Sequence, residues 1–164
     1  PNDTTKYMQN VATMKYTYDM ISDAYYDGRT ICIFRLSDVI LCKAEIENNL
    51  NGPAAALPYL NQIRARAGAP EYGKHNRFPA PSTKETMNDA ILKERGYELV
   101  FEFQRRADLI RFGKYEEVVN AHLKKLGIAQ PTNVTSSLRY FPYPLNDAQL
   151  NPNLAAENPS RLPK

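Results

Sequence analysis

The sequence has few of the residues that mark disulfide-rich miniproteins and membrane-spanning chains. It contains no tryptophan and only two cysteines, Cys32 and Cys42, which give no framework for a disulfide-stabilised fold. Cys42 has apolar neighbours in a helical pattern, which predicts a buried free thiol. The longest apolar runs, such as 31–34 and 39–42, are four residues long, whereas a membrane-spanning helix needs about 20. The composition therefore excludes both classes.

The sequence also has little net charge and no cluster of residues that commonly bind metals. The 21 basic and 18 acidic residues give a net charge of +3 and are interleaved, so no nucleic-acid-binding surface is indicated. The only histidines, His75 and His122, do not belong to a cluster with metal-ligand spacing. The sequence also lacks a glycine-rich phosphate loop and a GxSxG nucleophile motif. We therefore expect no metal and no cofactor.

Proline is distributed in a way that leaves room for long helices. The chain has 164 residues, of which 43% are apolar, so it can form one ordinary domain. None of its 12 prolines falls within 2–52 or 82–130, and an interior proline would cost a helix about 3 kcal/mol. The predicted fold is mainly α, with a helical hairpin, further long helices and extended proline-rich loops.

Residues 35–68 are predicted to form the helical hairpin. Apolar spacing predicts its first helix over 35–49. Gly52 is expected to end this helix, and Pro53 can open the second one. Pro58 implies that the second helix either starts near Ala55 or is kinked. The hairpin resembles one tetratricopeptide-type repeat. Because such arrays need about three or more units, we expect the missing neighbours upstream of Pro1.

The first helix of the hairpin carries two adjoining apolar faces. One face consists of Val39, Cys42, Ile46 and Leu50, and the other of Leu36, Ile40 and Ala44. An apolar surface of this width predicts a helix that packs on two sides.

The second half of the chain is predicted to contain a long helix and a loop-rich tail. Residues 82–85 form a capping-box pattern, after which a helix is expected to reach Arg105, with shorter helical pieces over 107–112 and 115–125. The chain is thus divided into a tyrosine-rich lead-in, the hairpin, a helical region and an extended tail. These segments span 1–34, 35–68, 82–127 and 128–164.

The densest charge pattern lies in the predicted long helix, where Glu94, Glu98 and Glu102 repeat at intervals of four residues. The local pairs expected from this spacing are Arg95–Glu98, Glu102 with Arg105 or Arg106, and Asp108–Arg111. Apolar residues interleave with these charges, so some charges must be partly buried and need partners. A glycosidase-like acid/base pair is one interpretation. The matching arginines favour the other, a structural ion-pair network.

Four motifs, in order, resemble those of the SusD/RagB family. RLSDVILCKAE at 35–45 resembles the family's RLADVYLMYAEA, and LNQIRARAG at 60–68 resembles its LNQVRARAG. Residues 91–113 are similar to ILNERRLELAFEGxRWFDLRRFG, and 141–159 to the closing FPIP … NPNLTQNP. The departures are Gly96 for arginine, Phe103 for a small residue, Arg106 and Ala107 for an aromatic pair, and Ser160 for glycine.

This resemblance implies a non-catalytic, lipid-anchored protein on the outer surface of a Gram-negative outer membrane. Family members bind glycans, or peptides in the RagB branch, and cover a SusC-like TonB-dependent transporter. They are much longer than this chain and carry the lipid-modified cysteine and tetratricopeptide-like helices in their first part, so this chain resembles their C-terminal part. Family ligand sites are built from variable loops, and no binding residue carries over from the motifs.

Ligand contacts are therefore predicted in segments outside the motifs. In the segment 16–29 the candidate ligand-binding residues are Tyr18, Tyr25, Tyr26 and Asp27, together with Asp23. Tyrosine rings stack on sugar rings, but they also cover cores and protein partners, so these tyrosines could instead face the transporter or the missing part. The loop 69–81 offers Tyr72, His75, Asn76 and Arg77. We favour the first segment, because adjacent tyrosines before a turn are hard to bury together.

Two other classes of function are compatible with the residues. An enzyme acting on glycans through the glutamate row would have carboxylates lining an open cleft, with at least one pKa raised. A helical-repeat adaptor that binds protein partners would have a broad exposed apolar patch on the hairpin.

Overall fold

The computed structural model describes residues 32–126, 134–154 and Ala156. The chain divides into two units, 1–32 and 33–164, and the fold below is that of the described residues in the second unit. All of the predicted lead-in except 32–34 lies outside the described residues.

Helices provide the regular structure of the described residues, which confirms the predicted mainly α fold. They are α1 (Leu36–Asn51), α2 (Pro53–Arg66), α3 (Lys84–Glu98), α4 (Arg105–Arg111), α5 (Tyr115–Lys125), a 3-10 helix (Ser136–Arg139) and α6 (Leu145–Leu150). One isolated antiparallel bridge, between His75 and Phe78, lies in the loop that joins α2 to α3.

The predicted hairpin is confirmed as α1 and α2, and α3 packs against both of its helices. The connection is a single residue, Gly52, whose φ of 89° is a conformation that glycine adopts without steric cost. The core formed by the three helices contains Leu41, Ala44, Ala56, Leu60, Ile63, Met87, Ala90 and Ile91. This core fixes the relative positions of the charged side chains described below.

The prediction that α1 packs on two sides is wrong for the described residues. Only one side is buried, and it consists of Ser37, Leu41, Ala44 and Asn48. Asn48 is accommodated in the core because its Nδ2 donates to the carbonyl oxygen of Lys84 at 2.9 Å and to Oδ1 of Asn88 at 2.8 Å. Most of the predicted apolar surface is instead exposed to solvent. The exposed residues are Leu36, Val39, Ile46 and Leu50.

The long helix predicted to reach Arg105 ends seven residues earlier, at Glu98. A turn over 99–103 follows, in which Phe101 and Phe103 both have a φ of 62°. The Glu102 carboxylate between them is buried and paired with Arg35. The need to bury this pair turns the chain inward at Glu102 and leaves both phenylalanines exposed.

Two local details also differ from the predictions. The capping box lies one residue later, with Thr83 Oγ1 accepting from the Thr86 N–H at 3.2 Å and Thr86 Oγ1 accepting from the Thr83 N–H at 3.0 Å. The second helix starts at Pro53, a residue type that readily opens a helix, so the alternative start near Ala55 is wrong and Pro58 lies inside the helix.

The tail is attached to α4 and α5 by polar and aromatic contacts. The Arg106 guanidinium lies 4.6 Å from the Phe141 ring centroid and 5.5 Å from that of Tyr115. It also donates to the carbonyl oxygen of Arg139 at 2.7 Å, and Arg139 pairs with Glu116 at 2.6 Å. Arg106, which replaces the aromatic residue of the family motif, therefore still makes aromatic contacts.

Candidate functional site

A network of arginines and carboxylates joins the start of α1 to α3 and α4. Arg95 pairs through Nη2 with Asp38 and through Nε with Asp108, at 2.8 Å each. Arg35 pairs through Nε with Glu102 at 2.9 Å and through Nη1 with Glu98. The side chains of Arg95 and Asp108 are almost fully buried. These two buried charges therefore meet across α3 and α4, and each neutralises the other.

The predicted local pairs are only partly confirmed. Asp108 and Arg111 do pair within α4, at 3.1 Å. Two glutamates of the row instead pair with arginines on α2. Glu94 pairs with Arg64 at 2.7 Å, and Glu98 pairs with Arg66 at 2.5 Å. Sequence spacing missed these partners because Arg64 and Arg66 lie on α2, 30 and 32 positions before the glutamates that they pair with.

The electrostatics of the network oppose a role in acid catalysis. Burial alone would raise the pKa of Glu98, but hydrogen bonds from Arg35, Ser37 and Arg66 hold that pKa below its usual value. Burial would likewise lower the pKa of Arg95, but the bonds to Asp108 and Asp38 raise it. A general acid needs a raised carboxyl pKa, so this geometry favours the structural interpretation.

Cys42 lies at the edge of this network and is more exposed than the sequence predicts. Cys42 is a free thiol, as predicted, but it is only half-buried. Burial and the nearby Asp38 carboxylate raise its thiol pKa despite the opposing Arg95 charge. The Cys42 Sγ accepts from Arg95 Nη1 at 3.6 Å and donates to Asp38 Oδ1 at 3.8 Å, so the thiol contacts two members of the network.

The loop 69–81 is the predicted ligand segment that the structure does describe, and it is held firmly against α2. Asn61 donates to the Tyr72 carbonyl oxygen at 2.9 Å and accepts from the Tyr72 N–H at 2.8 Å. The Arg64 guanidinium lies 4.6 Å from the Tyr72 ring centroid and 4.7 Å from that of Phe78, and its Nε donates to the Pro70 carbonyl oxygen at 2.7 Å. The loop is therefore fixed before any ligand arrives.

A cavity of about 540 Å³ lies between this loop and α3. Its lining includes Tyr72, Arg77, Phe78, Thr86, Asp89 and Lys93. Proline, alanine and aromatic surfaces form its apolar part, while the Asp89 carboxylate can accept hydrogen bonds and the Lys93 ammonium can donate them. Apolar faces beside a few polar groups suit a sugar ring, which has an apolar face and hydroxyl edges.

The structure brings only some of the predicted contact residues to this cavity. Tyr72 and Arg77 line it, but the Tyr72 ring already contacts the Arg64 guanidinium. His75 is exposed, and its Nδ1 accepts from the Arg77 N–H at 3.1 Å. Asp89 and Lys93 were missed, although their spacing of four residues on the helix after the loop could have indicated them.

The favoured candidates lie outside the described residues, and they therefore stay a prediction. They are Tyr18, Tyr25, Tyr26 and Asp27. Within the described ranges, no group of three or more histidine, cysteine, aspartate or glutamate side chains could hold a metal ion. None of the described helices is both long and apolar enough to cross a bilayer.

Comparisons with known proteins identify the family. The sequence pattern of the SusD family matches residues 1–160. SusD-like protein P25 of Formosa agariphila is 39% identical over 120 residues, which cover 73% of this chain and 22% of that protein. The starch-binding protein SusD of Bacteroides thetaiotaomicron is 28% identical over 137 residues, covering 82% of this chain and 22% of that protein.

The matched relatives are much longer proteins. This chain spans about a fifth of the length of the curated relatives that it matches. No solved structure matches it. Since the family pattern extends over nearly all of its residues, the chain belongs to the SusD family.

Proposed function

We propose that this chain is part of a non-catalytic nutrient-binding protein that captures glycans at the cell surface. The observation that carries the proposal is the family match over 1–160, together with the similarity to a relative named as starch-binding. The full protein would pass its ligand to a SusC-like TonB-dependent transporter. It would lie on the outer face of the outer membrane, held by a lipid anchor outside this chain.

Two features of the described residues support binding rather than catalysis. The glutamates of the predicted row are matched by arginines, and Glu98 is held ionised rather than protonated. The cavity beside the loop 69–81 offers apolar and polar surfaces on a fixed frame. Incubation of the full-length protein with starch oligosaccharides should release no reducing sugar, and release that Glu98→Gln abolishes would contradict this proposal.

The proposed contacts remain Tyr18, Tyr25, Tyr26 and Asp27, with Tyr25 and Tyr26 the first to test. In the full-length protein, replacing both tyrosines by alanine should weaken binding of a starch oligosaccharide, measured by calorimetry, by tenfold or more, because each stacked ring contributes about 1 kcal/mol. The matched control is replacement of both by phenylalanine, which keeps the ring faces. Unchanged affinity of the alanine variant, with unchanged circular dichroism, would remove this segment from the site.

The cavity beside the loop 69–81 is tested separately. The double variant Asp89→Ala, Lys93→Ala removes one hydrogen-bond acceptor and one donor from the lining of the cavity. It leaves the arginine–carboxylate pairs of the network unchanged. A loss of affinity in this variant, and not in the tyrosine variant, would move the ligand from the lead-in to the cavity. A protein-interaction adaptor is the second candidate, and the exposed apolar face of α1 favours it.

A further inference from the structure

Two cationic side chains at the cavity between the loop 69–81 and α3 lack a carboxylate partner. They are Arg77 on the loop and Lys93 on α3, and both line the cavity. Among the residues that the structure describes, neither of them takes part in an ion pair. Three neighbouring cations are paired, and their pairs are Arg64–Glu94, Arg66–Glu98 and Lys74–Glu71. The cavity thus presents positive charge that the described carboxylates do not neutralise.

The acidic side chain in the lining does not cancel this positive charge. It belongs to Asp89, whose Oδ1 lies 3.9 Å from the ammonium nitrogen of Lys114, a residue outside the lining. Among the described lining residues, the two cations Arg77 and Lys93 outnumber this one carboxylate, and Lys114 offsets part of its charge. A cavity with this balance of charge attracts anions.

The uncharged part of the lining suits a sugar ring. Pro79, Ala80 and Pro81 form an apolar wall, and Ser82 adds a hydroxyl. A sugar ring can lay its apolar face on such a wall while its hydroxyl groups bond to the polar side chains. A small inorganic anion would leave this apolar surface uncovered. The lining therefore favours an anionic group carried on a sugar over an isolated ion.

A second cavity extends the site beyond one sugar unit. It has a volume of about 370 Å³ and shares Tyr72, Phe78 and Lys93 with the first cavity. The other charged side chains in its lining already belong to ion pairs, and they are Arg64, Glu94 and Glu98. Lys93 is thus a cation that both cavities share, so a bound chain of two or more sugars would pass it.

The backbone around Arg77 is held in place before a ligand binds. The Gly73 N–H donates to the Phe78 carbonyl oxygen, and the Phe78 N–H donates to the His75 carbonyl oxygen, at 2.8 Å each. Arg77 lies within this closed turn, and its own N–H donates to His75 Nδ1 at 3.1 Å. Preorganisation of this kind lowers the entropy lost on binding. A ligand then has to order only the Arg77 side chain and not the loop.

We propose that this cavity is a subsite for an anionic sugar unit, in which Arg77 and Lys93 bind a carboxylate or a sulfate ester. The Arg77 guanidinium can donate two parallel hydrogen bonds to such a group, and the Lys93 ammonium adds a point charge. The Asp89 carboxylate can accept from a ring hydroxyl. The inference rests on the proposed function, since it names the class of glycan that this part of the protein prefers.

The test compares an acidic sugar with its neutral form in the full-length protein. The first pair of probes is trigalacturonate and the same trisaccharide with its carboxylates methyl-esterified, titrated by calorimetry. The acid should bind about tenfold more tightly, because charge-assisted hydrogen bonds are about twice as strong as neutral ones. The second pair is a galactan trisaccharide with and without sulfate esters. The pair with the larger preference identifies the anionic group as a carboxylate or a sulfate ester.

The variants Lys93→Gln and Arg77→Gln should each reduce this preference several-fold. Both side chains are exposed, so the substitutions should leave the fold intact. The matched control is Lys74→Gln, which removes a positive charge from the same loop but lies outside the lining of this cavity. The control should keep the preference of the parent for the acidic sugar, because an exposed charge away from the ligand is screened by salt.

Four outcomes would overturn the inference. Equal affinities within both pairs of probes would remove the preference for an anion, while binding of the neutral sugars would leave the proposed function intact. Failure of these sugars and of a starch oligosaccharide to bind would overturn the proposed function as well. Equal losses in Lys74→Gln and Lys93→Gln would place the anionic group outside the cavity. A triglutamate peptide that binds more tightly than the sugars, and loses affinity in Lys93→Gln, would assign the cavity to acidic peptides.

Discussion

Arginine side chains connect parts of this chain that are distant in sequence, in addition to the contacts of the apolar core. Arg35, Arg95 and Arg111 each hold two carboxylates, and in each case at least one of them lies on a different element. A planar guanidinium with five donors can bond two carboxylates at once, whereas a lysine ammonium cannot reproduce that geometry. Substitutions at these positions therefore act on several elements together.

Arg95→Ala should lower the free energy of unfolding by about 3–5 kcal/mol, because Asp38 and Asp108 would lose a buried partner. The measurement is urea unfolding of the full-length protein followed by circular dichroism. Arg66→Ala is the control, since Arg66 is largely exposed and Glu98 keeps Arg35, and we expect a loss of at most about 1 kcal/mol. Equal losses in the two variants would contradict the assigned network.

Phe103 provides a test of backbone strain. Phe103→Gly should be more stable than Phe103→Ala by about 1 kcal/mol, because glycine adopts a φ of 62° without the steric cost that alanine retains. Both variants lack the phenylalanine ring, so the comparison between them is independent of anything the ring contacts. Equal unfolding free energies would mean that residue 103 changes its backbone conformation when the ring is removed.

At the scale of single residues, the sequence predicted the kind of interaction but not most of its partners. Alternating charges among apolar residues correctly indicated an ion-pair network around Glu94, Glu98 and Glu102. The Asp108–Arg111 pair could be predicted because both residues lie on one helix. The pairs of Arg35 with Glu98 and Glu102 could not, since they span 63 and 67 positions in the sequence, and no local spacing encodes them.

At the scale of elements, helix starts and stops followed local signals where such signals existed. Gly52 marked the turn of the hairpin, and threonines supplied the cap of α3. The early end of α3 had no such signal, because Phe101 and Phe103 are ordinary helix residues by propensity. The buried pair between Arg35 and Glu102 overrides that propensity.

Helix α2 contains an interior proline, Pro58, which removes one backbone hydrogen bond from the helix. Pro58→Ala should raise the free energy of unfolding by about 1–2 kcal/mol, because residue 58 regains an N–H that can donate to the Ala54 carbonyl oxygen. Pro58 is exposed, so the substitution leaves no cavity. Thermal unfolding is the measurement, with Pro53→Ala as the control at the helix start, where proline is tolerated. A melting temperature that falls in Pro58→Ala would show that the proline fits a local bend.

At the scale of the whole molecule, acid should weaken the fold through the network. The pKa of Glu98 is lowered in the folded state. Its stabilising contribution is therefore complete above its unfolded pKa of about 4.3 and is lost as the pH falls through the folded value. The difference in unfolding free energy between the parent and Glu98→Gln should accordingly shrink between pH 7 and pH 3.

The control for this acid effect is Glu117→Gln, which changes an exposed carboxylate on α5. Its unfolding free energy relative to the parent should stay nearly constant over the same pH range, because exposed pairs contribute little. A Glu98→Gln difference that is equally constant would contradict the role given to the Glu98 charge.

The sequence was sufficient to predict the mainly α fold, but it did not predict which apolar side chains of α1 are exposed. Proline-free stretches and apolar spacing were enough to predict a mainly α chain with a hairpin at 35–68. The two-sided packing of α1 was predicted from a pattern that is present, but within the described residues only one side is covered. A sequence records which residues are apolar, but it does not record which of them find a packing partner.

The arginine network should hold the two parts of the chain together when the backbone between them is cut. The bonds from Arg35, Arg64 and Arg111 to glutamates on other elements all connect residues on opposite sides of the loop 69–81. Trypsin can cut this loop at the exposed Lys74 or Arg77, and the two pieces should then elute together in gel filtration and separate only in denaturant. The same property makes the loop a place where the coding sequence can be split into two co-expressed halves, or receive an inserted reporter domain, while the halves still find each other.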